Sequence, residues 1–170
     1  MDASQSVPDL IEAARADANP LQQRIIAAQG DTAGQAAPHD QAEELRGATV
    51  ALEDLAIDTF SAFEARMQHH YKRGPFSRKL KVALLEAKQP DLADKLHQYY
   101  LAINVLKHGK GASHRELLGS PSTLIVMNAV GDDPAEDAPK AVGLVDVTAP
   151  GFFEGLIDMI RNAHTFLNAK

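Results

Sequence analysis

The chain has 170 residues, no cysteine and a formal net charge of −6. That length fits one domain with a buried core, and the absence of cysteine excludes disulfides, thiolate metal sites and cysteine nucleophiles. No apolar run approaches the roughly 18 residues of a membrane span, and the start MDASQSVPDL lacks the basic and apolar regions of a signal peptide, so a cytoplasmic protein without membrane contact is expected.

The average charge hides an asymmetry. Residues 1–65 hold 3 Lys/Arg against 12 Asp/Glu, residues 66–116 hold 11 against 4, and residues 117–170 hold 3 against 7. Five of the seven histidines also fall in the basic middle. Such a segment either meets an anionic partner or is neutralised by the acidic ends, within the fold or across a dimer.

In chain order, PDLIEAARADANPLQQRIIAAQ reads as two short helices broken at Asn19-Pro20, because proline lacks the N–H that a helix interior needs. GDTAGQAAPHDQ (30–41) is small, polar and turn-rich. Residues 1–39 are therefore expected to form an N-terminal helical arm and linker, and 40–170 the main domain. A long helix follows, with Asp40 as cap and Glu43 as its reciprocal partner. Leu45, Ala48, Leu52, Leu55, Thr59 and Phe63 recur at steps of three and four, and Gly74-Pro75 stops the run. About 33 residues at 1.5 Å each give roughly 50 Å. That stripe is longer than one compact domain covers, so a homodimer formed partly through this helix is predicted.

Next come a helix over about 77–88, carrying Leu80, Leu84 and Ala87, and one over about 91–108, carrying Leu92, Leu96, Tyr99, Ile103 and Leu106. STLIVMNAV and AVGLVDVT flank the acidic stretch GDDPAEDAPK and predict a β-hairpin near 122–148. Pro150 then opens a last helix with Phe153, Leu156, Ile157, Ile160, His164 and Leu167 on one side. The expected fold is mainly α: an up-and-down helical bundle with a small β-hairpin before the C-terminal helix.

On the 91–108 helix, His97, Tyr100, Asn104 and His108 fall within an arc of roughly 80° beside the apolar stripe. Residues at such a border either line a pocket or are ordinary hydrogen-bonded boundary groups. Lys107, His108 and Gly109 read as a helix terminus, with cations at the negative end of the dipole and glycine in the left-handed position. As a phosphate grip this stretch is poor, because a helix C-terminus repels anions. Capping does not explain Lys110, His114 and Arg115 just beyond. The predicted pocket joins Tyr100, Asn104, Lys107 and His108, with His114 a further candidate, and His108, Asn104, Lys107 and His114 are the candidates for catalysis if the protein is an enzyme. Lys72, Arg73, Lys110 and Arg115 are the added candidates for binding an anion.

Asp94-x2-His97 has the step of carboxylate metal bundles, but no second copy occurs, and the acidic 131–139 stretch lacks EF-hand spacing. No metal and no cofactor are expected. His69-His70, beside Tyr71, Lys72 and Arg73, reads as a solvated basic turn, and His164 as a core histidine.

Asn104, Lys107, His108, Gly109, Gly111 and Ser113, in the pattern Asn-x2-Lys-His-Gly-x-Gly-x-Ser, resemble a segment of uncharacterised bacterial proteins related to the HEPN superfamily of helical bundles. FSAFEARM (60–67) is similar to the Phe-Glu step that those proteins often carry. The shared portion spans about residues 40–118. The resemblance implies a bundle of four or five helices, frequently dimeric, and often an RNase toxin or defence component using an Arg-x4–6-His motif. The catalytic motif departs here. Leu101, Ala102 and Ile103 stand at that spacing ahead of His108, and Lys107, His108 and Gly109 ahead of His114. Lys107 has the spacing to His114, but an ammonium cannot reproduce the guanidinium fork that would stabilise phosphate charge. The function expected is a non-catalytic interaction or assembly module. The alternative is a nucleic-acid-directed protein using residues 66–116, either a divergent metal-independent ribonuclease or an RNA-binding module.

Overall fold

The computed structural model describes residues 6–30, 39–120, 122, 124–128 and 143–169. Among them run six helices: α1 (Val7–Gly30), α2 (His39–Met67), α3 (Phe76–Glu86), α4 (Pro90–His108), α5 (Ala112–Gly119) and α6 (Phe152–Asn168). A 3-10 turn, Gln68–His70, closes α2. The predicted helical bundle is what the chain forms.

The break expected at Pro20 does not occur, since α1 continues through it. Ala14, Ala18, Ile25 and Ala28 keep one buried stripe in register across the proline, with Leu21 packed against the same core. Pro20 itself is exposed, as are Ala16, Asp17 and Asn19. The carbonyl that loses its intrahelical partner therefore sits on the solvent side. Proline in a helix interior costs about 3 kcal/mol, and burial of an isoleucine or leucine returns roughly 1.5–3 kcal/mol each, so packing outweighs the break. A reciprocal cap starts the helix: Ser6 Oγ donates to Asp9 Oδ2 at 2.7 Å, and the Asp9 N–H donates back to Ser6 Oγ at 3.3 Å.

Arg24 near the end of α1 meets Glu44 near the start of α2 at 2.6 Å, which makes the two helices an antiparallel pair. That hydrogen bond holds the Glu44 carboxyl below the usual carboxylate range. The expected linker over 30–41 falls largely outside the described residues. α2 begins at His39, so Asp40 stands in the first turn rather than at the cap. At 29 residues this helix is about 44 Å long, a little shorter than expected.

α3 and α4 form a second hairpin. Gln89 N–H bonds Leu84 O at 2.9 Å and Lys88 N–H bonds Leu85 O at 3.0 Å, the paired bonds that end a helix through a left-handed residue. That residue is Lys88, at φ 59°. α4 is the central helix. Leu96, Tyr99, Leu101, Ala102, Ile103, Val105 and Leu106 are all buried. Tyr99 is fully buried and its hydroxyl donates to Phe152 O at 2.9 Å, tying α4 to the start of α6. Burial raises the pKa of this phenol well above its ordinary value, with a smaller contribution from Asp158.

The β-hairpin near 122–148 is corrected: no strand is present among the described residues. Residues 129–142, which include its expected turn, lie outside them. Among the described residues, the two arms meet at one antiparallel bridge, Met127 with Val145. Hydrogen bonds from Asn128 N–H to Leu144 O (3.1 Å) and from Asp146 N–H to Val126 O (2.8 Å) flank it. Side chains stop the ladder on both arms. Asp146 Oδ1 accepts from the backbone N–H and hydroxyl of Thr148, which bends the second arm away, and Ser122 Oγ accepts the N–H groups of Leu124 and Ile125. Of the apolar residues that suggested strands, Ile125, Leu144, Val145 and Val147 are buried and cover the core, whereas Val126 is 44% exposed. Short β-branched apolar runs can report burial whether or not a ladder forms.

Candidate functional site

The site is a cleft of about 340 Å³ between α3, α4 and α5. α3 contributes Arg78, Lys81 and Val82, and buried Ser77 lies at the floor. Ser77 Oγ donates to Glu64 Oε1 of α2 at 2.6 Å, which fixes the start of α3 against the long helix. α4 presents His97, Tyr100 and Leu101 to the cleft. α5 closes it with Ala112, Ser113 and Glu116.

Helical periodicity explains why these side chains converge. Arg78 and Lys81 are three apart on α3, as are His97 and Tyr100 on α4, and residues three apart stand one above the other on a helix face. The opposite face of α3 is anchored by Phe76, Leu80, Ala83 and Leu84, all buried. The two rings on α4 are nearly parallel, with an interplanar angle of 15° and centroids 6.5 Å apart. His97 Nε2 lies 2.7 Å from Glu116 Oε1, and this contact ties α5 down on α4.

Glu116 therefore directs its carboxylate at His97, while Arg78 and Lys81, both on α3, bring two cations to the other wall. The lining combines two positive groups, a partly buried aromatic pair and one carboxylate already engaged. Such a surface can hold an anion and lay a flat ring beside it. Val82 on the rim is 55% exposed and adds an apolar edge.

Of the residues singled out in the sequence, His97, Tyr100 and Ser113 line this cleft. Asn104, Lys107, His108 and His114 lie outside its lining. Lys107 is half-buried, and its ammonium donates to Ser61 Oγ of α2 at 2.8 Å. His108 is the exposed last residue of α4, followed by Gly109 at φ 71°, whose N–H bonds Val105 O at 2.7 Å. Asn104 and His114 are half-buried, whereas Lys72, Arg73, Lys110 and Arg115 are exposed. α5, which carries His114 and Arg115, was not expected as a helix.

Arg78, Lys81 and Glu116 were missed. A signal for the first two was present, since RKLK places both cations at helical spacing on a short amphipathic helix. His69 Nδ1 lies 2.7 Å from Arg66 O, as befits the end of a helix. His164, on α6, is partly buried, which lowers its pKa, and Asn168 Nδ2 donates to its Nε2 at 2.8 Å. Among the described residues, no group of three or more His, Asp and Glu is placed to hold a metal ion. None of the described helices is long and apolar enough to cross a membrane.

No family model matches the chain, and searches of curated proteins and of solved structures find no match either.

Proposed function

We propose that this protein is a non-catalytic binding module whose α3–α4–α5 face engages single-stranded RNA. The observation that carries the reading is the convergence of Arg78 and Lys81 with Tyr100 in one cleft, within the basic segment 66–116. Cations neutralise phosphate and release its counterions, while an aromatic face accepts bases whatever their identity. His97 in the same cleft is engaged by Glu116, so its observed role is to hold α5 in place. The resemblance to HEPN bundles, a homodimer formed partly through α2 and a cytoplasmic setting belong to the same proposal. The α2 stripe that suggested the dimer is covered within one chain, with Ala48, Leu52, Thr59 and Phe63 buried and Leu45 and Leu55 packed on the core, so the dimer part rests on the length of α2 alone.

The test is fluorescence anisotropy with a labelled single-stranded RNA. The parent protein binds, and Arg78→Gln with Lys81→Gln weakens binding about tenfold or more at moderate salt. Equal binding by parent and variant would remove the cleft from the function. Light scattering at tens of micromolar tests the dimer, and a monomer there contradicts it.

A further inference from the structure

We infer that the cleft between α3, α4 and α5 is a seat for one unpaired nucleotide, with the base against Tyr100 and the phosphate between Arg78 and Lys81. The inference rests on the RNA reading above and names the part of the strand that is recognised.

Size comes first. A cleft of about 340 Å³ lies at the lower end of the range for small-molecule sites, which suits a single nucleotide and excludes a duplex from entering. Charge comes next. Arg78 and Lys81 stand one helical turn apart, so both side chains can reach one phosphate, with the guanidinium offering two parallel N–H donors. Two cations face one carboxylate in the lining. That carboxylate, on Glu116, is drawn 2.7 Å from His97 Nε2, which limits its repulsion of a phosphate.

The aromatic wall completes the argument. The His97 and Tyr100 rings are within 15° of parallel, so a base laid on Tyr100 is aligned with both. Tyr100 is half-buried, with its inner side packed on the core, and this holds the ring in place before any ligand arrives. A pre-positioned ring loses little freedom when it stacks. Base-paired nucleotides cannot present a ring face to it, so the seat selects single strands over duplex.

Isothermal titration of the full chain with adenosine 5′-monophosphate, adenosine and inorganic phosphate tests the seat. The nucleotide is expected to bind at least about tenfold more tightly than adenosine or phosphate alone, because it uses both walls. Tyr100→Leu should lower that affinity about tenfold, Tyr100→Phe should retain it, and Arg78→Gln should lower it through the phosphate. Arg78 is exposed, so its variant reports on binding even if Tyr100→Leu disturbs folding. Phosphate binding as tightly as the nucleotide, or a nucleotide affinity indifferent to Arg78→Gln, overturns the seat. Single-stranded RNA binding that survives Tyr100→Leu overturns the seat and leaves the RNA reading standing. Nucleotide bound in the cleft with no RNA binding supports the seat and overturns the RNA reading.

Discussion

Gly155, on α6, has no room for a side chain. A Cβ built there would lie 2.2 Å from the Tyr99 hydroxyl oxygen, against 3.4 Å from Cζ and 3.8 Å from Cε2. The conflict is with one atom of a fully buried ring that cannot swing away without breaking its bond to Phe152 O. Gly155→Ala would otherwise favour a helix interior by about 1 kcal/mol. Overpacking of roughly 1–3 kcal/mol and loss of a hydrogen bond of about 1 kcal/mol oppose that gain, so a net destabilisation of about 2 kcal/mol is expected. Tyr99→Phe alone removes the hydrogen bond and costs about 1 kcal/mol. In the Phe background the nearest atom to the new methyl becomes Cζ at 3.4 Å, an ordinary contact, and the alanine should be neutral or stabilising. Urea unfolding followed by circular dichroism on all four proteins gives the coupling energy, expected near 2 kcal/mol in the sense that the two changes rescue each other. Additive costs, within about 0.5 kcal/mol, would refute the packing argument.

Lys88 adopts a left-handed conformation that a side chain disfavours by roughly 1–2 kcal/mol, while glycine loses about 0.4–1 kcal/mol through a more flexible unfolded chain. Lys88→Gly should therefore raise stability by about 0.5–1 kcal/mol in the same unfolding assay, and a loss would contradict the helix-end geometry. Burial lowers the His164 pKa below its ordinary value, so the unfolded chain takes up a proton first as pH falls. This contribution is absent above the unfolded pKa, near 6.5, and grows as pH falls from there towards the lower folded value. Protonation also removes the Nε2 acceptor used by Asn168. His164→Gln should flatten the acid-side loss of stability in that window, and an unchanged pH profile would count against this source.

Sequence pattern located the helices best where apolar spacing, proline and glycine agree. The expected helix over 91–108 is Pro90–His108, and that over 77–88 is Phe76–Glu86. Pro20 misled because a local rule met a stripe whose burial outweighs it, and that burial depends on α2 and α6, which local spacing does not reveal. The hairpin misled because Asp146 and Ser122 bond their own neighbouring backbone and stop the ladder. α5 was hidden by its shortness, with Leu117 its only buried residue. The cleft was half legible for a similar reason. Tyr100 stood out by its spacing from other residues of its own helix, whereas Arg78 and Lys81 join it only because α3 folds back along α4.

The central claim is that Arg78 and Lys81 neutralise the phosphates of a single-stranded RNA at this cleft. The most direct measurement is the dependence of RNA affinity on salt concentration, for the parent and for the Arg78→Gln, Lys81→Gln double variant. Log affinity should fall linearly with log salt for the parent, and the slope should be shallower in the variant by about 1.4, or about 0.7 for each phosphate contact removed on a single strand. No binding at low salt, or the same slope in both proteins, would contradict the claim.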